Sequence, residues 1–85
     1  MVNTDNKKQN TVFEVGETYQ TRGGLTARVI CVDRVPHSIY SRFDTIVALV
    51  AQPEGWEHVT LHRADGRIHP RVDGDLDLLP PMAGA

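Results

Sequence analysis

The chain of 85 residues has a single cysteine, Cys31, so no disulfide can form within it. Cys31 lies between Ile30 and Val32. A thiol in apolar surroundings is inert, and a lone cysteine fits a reduced, cytoplasmic setting. No apolar run approaches the ~18 residues of a membrane span. The first ten residues are polar and lack the apolar stretch of a secretory leader. Lysine is confined to Lys7 and Lys8, and the net charge is -2. That balance argues against nucleic acid as a partner, because non-specific affinity for it comes mostly from Lys and Arg on phosphates. No long window carries the 3.6-residue apolar period of a helix.

What the chain does have is turn chemistry. Seven glycines and five prolines divide it into short stretches. β-Formers at Thr18, Tyr19 and Thr21 precede the turn signal Arg22-Gly23-Gly24. Residues 25–32 follow, with Ala27, Val29 and Cys31 on one face and Arg28, Ile30 and Val32 on the other, so the two runs predict a hairpin. Residues 33–44 break the pattern at Pro36. Residues 45–52 (TIVALVAQ) are the most apolar run and predict a central strand buried on both faces. Within it Val47 and Leu49 are expected inside, joined by Val59 and Leu61 from the alternating run 56–63. Asp65-Gly66 predicts a two-residue hairpin turn. Residues 67–72 would return as an edge strand marked by Pro70, and Leu76, Leu78 and Leu79 would add a last short strand.

Short strands at roughly ten-residue spacing read as an all-β domain. The expected form is a small, strongly bent sheet or a partly open SH3-like barrel of about five strands. The expected organisation is a disordered polar tail over 1–11, one β domain over 12–79 and a frayed end over 80–85.

Candidate chemistry is sparse. His58 and His62 are four apart, which on a strand separates them by about 13 Å, too far for one metal ion. A two-residue loop at Asp65-Gly66 would place His62 opposite His69, about 5 Å apart. Asp73, Asp75 and Asp77 have the opening spacing of a calcium loop, but Leu78 stands where the loop needs glycine and Gly84 where it needs glutamate. They read as the solvent face of a strand whose leucines face inward. No metal, cofactor or catalytic constellation emerges, and the expectation is a protein that is not an enzyme.

Two elements stand out as binding candidates. Arg22, Gly23 and Gly24 join a guanidinium to a glycine pair whose N–H groups are able to form an anion nest, which would suit a phosphate ligand or nucleotide, with an oligomer supplying the rest of a pocket. The connection 35–43 carries Ile39, Tyr40, Arg42 and Phe43 where a loop is usually polar. Tyr40 and Arg42, with Trp56, have the side chains of protein-contact hot spots. Ile39 and Phe43 also suit a lid over an open barrel end. Stacking of single-stranded nucleic acid on Trp56 and Tyr40 is the weakest reading at this net charge.

The order of residues 19–30 (YQTRGGLTARVI), 47–50 (VALV), 64–67 (ADGR) and 75–78 (DLDL) resembles a group of small bacteriophage and prophage accessory proteins. These share a Y-x-T-R-G-G-x-x-A-x-V opening and an A-D-G-R hairpin. The likeness spans Gly16 to Leu79, and 35–44 is longer than in that group. It implies a phage-encoded protein acting in the host bacterial cytoplasm, and it implies no reaction. Together these features predict a small non-enzymatic protein that binds and modulates or inhibits a host or phage protein. Phosphate-ligand or nucleotide sequestration through Arg22, Gly23 and Gly24 is the alternative.

Overall fold

The computed structural model describes residues 11–36 and 43–81. These form one antiparallel sheet with no helix among them. Its strands are β1 (Thr18–Gln20), β2 (Thr26–Cys31), β3 (Ile46–Ala51) and β4 (Glu57–His62), and their spatial order is the chain order. The all-β expectation therefore holds as a small four-stranded open sheet. The fifth strand, expected over 67–72, is absent.

The reason lies in the turn that leaves β4. Arg63 N–H donates to Arg67 O at 2.8 Å and Gly66 N–H to Arg63 O at 2.8 Å. Three residues lie between Arg63 and Arg67, not two, so residue 62 has no register with residue 69. Gly66 has φ +91°, and a Cβ there would stand 2.6 Å from Leu78 O and 2.8 Å from the Phe13 ring. Only glycine satisfies both the backbone angle and the space. The next N–H, that of Ile68, goes to the Asp77 carboxylate at 3.1 Å rather than to a strand ladder.

One face of the sheet carries the core. Ala27 and Val29 of β2, Ile46, Ala48 and Val50 of β3, and Thr60 and His62 of β4 are buried on it. Phe13 and Leu78 cover it from the two ends of the described chain. Small side chains at Ala27 and Ala48 leave room for these larger ones. Phe13 also stacks edge-on against Tyr19 at 4.8 Å.

This reverses the expected facing. Ile46, Ala48 and Val50 are inside, whereas Val47, Leu49 and Leu61 are half-buried on the other face and Val59 is exposed there. β3 is thus fully buried on one face only. The two faces of TIVALVA are equally apolar, so hydrophobicity could not choose between them. The choice falls to the terminal segments, which cover one face. β2 also departs from simple alternation. A register shift between Val29 and Cys31 places Cys31 opposite Val47 and lets Val32 turn into the core.

The C-terminal segment ties the sheet's two ends together. Leu78 N–H donates to Gly66 O beyond β4, while Leu79 N–H donates to Gln20 O and Arg22 N–H to Asp77 O beside β1. One isolated bridge, Thr21 to Leu78, accompanies them. At the other end Thr11, assigned to the tail from sequence, donates its hydroxyl to Ala64 O at 2.6 Å.

Candidate protein-binding face

The outward face of β2, β3 and β4 is built by the same alternation that builds the core. Arg28, Leu49 and Val59 lie in one cross-strand row; Cys31, Val47 and Leu61 lie in the next. Ile30, 41% exposed, stands at the β2 register shift. Val59 is 59% and Phe43 52% exposed. None of the apolar side chains on this face is buried. An apolar sheet face rimmed by charge is the usual form of a protein-contact surface.

Charges mark its ends. Arg28 reaches the Glu57 carboxylate at 3.2 Å, both side chains being about half exposed. At the opposite end the Arg63 guanidinium lies 4.7 Å from the Phe43 ring centroid, an attractive cation–π contact. The connection from β2 to β3 is pinned at its base, where Arg34 N–H donates to Thr45 O and the Arg34 guanidinium to Asp44 O at 2.7 Å.

The expected contact residues fare differently. Tyr40 and Arg42 lie outside the described residues, as does Ile39. Trp56 is 54% exposed and sits edge-on to His58 at 6.1 Å. By alternation it belongs to the inward face, beyond the end of the core, and not to the apolar outer row. Ile30 is not among the contact residues expected from sequence, and Leu49 and Val59 are among the residues expected in the core. The available signal was polar. Thr60 and His62 are spaced as a buried, mutually bonded pair, which turns Val59 and Leu61 outward.

The Arg22-Gly23-Gly24 turn is engaged inside the fold. Arg22 N–H donates to Asp77 O, Gly23 N–H to Asp75 O and Gly24 N–H to Thr21 O. The three donors an anion nest would need are already used. The Arg22 guanidinium lies 3.3 Å from the Asp77 carboxylate and 3.7 Å from that of Asp73, which in turn is 2.8 Å from Arg67.

Asp77 is the centre of this cluster and corrects the expectation of a solvent-facing aspartate row. It is fully buried. Burial alone would raise its pKa. The N–H groups of Gly74 and Ile68 and the Arg22 guanidinium outweigh that and hold it below the ordinary carboxylate value. Asp73 and Asp75 are exposed, and Leu78 does face inward.

The histidines do not pair across a hairpin. His62 is fully buried, and His69 is exposed. His62 Nδ1 lies 2.9 Å from Gly66 O, and Nε2 lies 2.6 Å from Thr60 Oγ1. A carbonyl only accepts, so Nδ1 carries the proton and Nε2 accepts from the threonine hydroxyl. Burial lowers the His62 pKa, against opposing contributions from the Gly66 carbonyl, Asp77 and Asp44. Among the described residues no three His, Cys, Asp or Glu side chains converge as a metal site. No helix among them is long and apolar enough to cross a membrane.

Comparison with protein-family models, with curated proteins and with solved structures finds no match for this chain.

Proposed function

We propose that this chain is a small non-enzymatic binding protein that acts by docking its outer sheet face on another protein, a host or phage component in the setting the sequence resemblance implies. The observation that carries this reading is the apolar outer face of Ile30, Val47, Leu49, Val59 and Leu61, none of them buried. Covering such a face removes apolar area from water at about 25 cal/mol per Å². Phe43 extends the face toward the connection that carries Tyr40 and Arg42, which enter the proposal as further contacts. Trp56 would act at the separate β3–β4 end. Modulation or inhibition of the partner follows from occupying its surface, with no chemistry required of this chain.

The test is capture from host lysate by tagged wild type and by Ile30→Asp, a charge placed on the outer face away from the core. The expected result is a protein retained by wild type and lost by the variant, while both unfold cooperatively at similar temperatures. Equal capture by a folded Ile30→Asp would refute the face.

A further inference from the structure

The two edges of the sheet are treated differently. The β1 edge is covered at its C-terminal end: the backbone of 77–79 bonds to Gln20 and to Arg22 just beyond the strand, and Pro80-Pro81 follows. Among the described residues the β4 edge has no such cover. Within the described residues β4 pairs with β3 alone. Gln52 N–H donates to Trp56 O, and the antiparallel alternation continues from there. Residues 58, 60 and 62 therefore bond to β3, while Glu57, Val59 and Leu61 turn their N–H and C=O groups outward.

Little in the strand itself guards that edge, Glu57 being the one charged side chain within 57–61. Natural edge strands are blunted by proline, lysine, a bulge or a covering segment. Residues 57–61 (EHVTL) contain neither proline nor lysine, and β3 and β4 pair in unbroken register along their length. Among the described residues the strand edge stays open until the 63–67 turn, where Arg67 O takes the next outward N–H, that of Arg63.

We propose that this edge pairs with β4 of a second copy, antiparallel about a two-fold axis at Val59. The two four-stranded sheets become one continuous sheet. A strand of odd outward positions is self-complementary in this register. Val59 meets Val59 of the second copy, and Glu57 meets Leu61. Each pair falls on outward-facing backbone groups, so every open N–H finds an open C=O.

The charges agree with that register and favour a second copy over an unrelated strand. Glu57 and Arg63 share the outer face with Val59 and Leu61. With 57 opposite 61, Glu57 lies diagonal to Arg63 of the second copy, at roughly the 7–8 Å Cα spacing over which long side chains interact. The two-fold axis makes this contact twice. The turn at 63–67 ends the pairing at the next position in both copies. This inference rests on the backbone of the strand edge, whereas the docking proposed above uses the side chains of the outer face, and Val59 and Leu61 belong to both.

Sedimentation equilibrium of the full chain tests it. Wild type is expected to form a concentration-dependent dimer. Val59→Pro removes an N–H that points away from β3, a position at which an edge strand tolerates proline, and Val59→Lys places a guarding charge on the edge without touching the core. Both are expected to sediment as monomers with a β spectrum and cooperative unfolding. Glu57→Arg and Arg63→Glu should each weaken the dimer several-fold, and the double exchange should restore it. Wild type that stays monomeric to millimolar concentration would overturn the proposal. So would a dimer unchanged in both folded Val59 variants, or single charge exchanges without effect, since either places the contact elsewhere.

Discussion

His62 and Leu78 meet on a single carbonyl. His62 Nδ1 and the Leu78 N–H each lie 2.9 Å from Gly66 O. The last strand, the turn after it and the C-terminal segment are thereby joined at one buried point, and that point contains a titratable group.

Stability should therefore fall as pH is lowered from neutrality. The folded pKa of His62 is below its ordinary value of about 6.5 because burial disfavours the imidazolium. The unfolded chain binds the proton more readily. The contribution of neutral His62 is complete above the unfolded pKa and is lost as pH falls through it toward the folded pKa. Protonation at Nε2 also reverses the Thr60 hydroxyl, whose remaining acceptor, Ala48 O, is 3.4 Å away. Melting temperature should drop between pH 7 and pH 5, and His62→Gln should flatten that slope. Asp77 adds a second loss at lower pH, below the ordinary carboxylate range, because its folded pKa is also depressed.

The facing of β3 predicts unequal costs for neighbouring substitutions. Ile46→Ala empties a fully buried site and should cost about 2–5 kcal/mol. Leu49→Ala trims a half-buried side chain on the outer face and should cost roughly 1 kcal/mol. Denaturant midpoints of the two variants decide this, and a reversed order would place the core on the opposite face.

Gly66 and Gly55 separate backbone strain from crowding. Both have positive φ, +91° and +102°, but a Cβ at Gly55 meets nothing within 4 Å. Gly55→Ala should cost about 1 kcal/mol, the scale of an alanine held in a left-handed conformation. Gly66→Ala adds collision with Leu78 O and the Phe13 ring and should be distinctly worse, read as the difference in thermal midpoint.

Asp77→Ala should destabilise the loop over 67–77 by roughly 1–3 kcal/mol, since Gly74 and Ile68 lose their acceptor and Arg22 its buried partner. Asp73→Ala, with a mostly exposed carboxylate, should cost less than about 1 kcal/mol. Amide exchange at Ile68 and Gly74 should rise in the first variant and stay near wild type in the second.

The legible part of the fold is the part fixed by local rules. The Arg22-Gly23-Gly24 turn and the strands beside it follow from glycine and β-branched residues. The rest depends on contacts distant in sequence. Asp77 is drawn inward by Arg22, 55 positions away, which no spacing within 73–77 reveals. The Ile46–Val50 face is chosen by Phe13 and Leu78, which lie outside the strands they cover. For the candidate site, side-chain type, aromatic or arginine in a segment outside the apolar strand runs, points to Tyr40, Arg42 and Trp56. Leu49 and Val59, which face outward, read as core from sequence because apolar residues outside and inside a sheet read alike.

Methyl NMR of the chain with its purified captured partner tests the docking face most directly. The account predicts shifts or broadening at the methyls of Ile30, Leu49 and Val59, with Ile46 and Val50 of the inward face unchanged. Perturbation confined to the Arg22-Gly23-Gly24 turn, with the outer-face methyls unmoved at saturation, would contradict it.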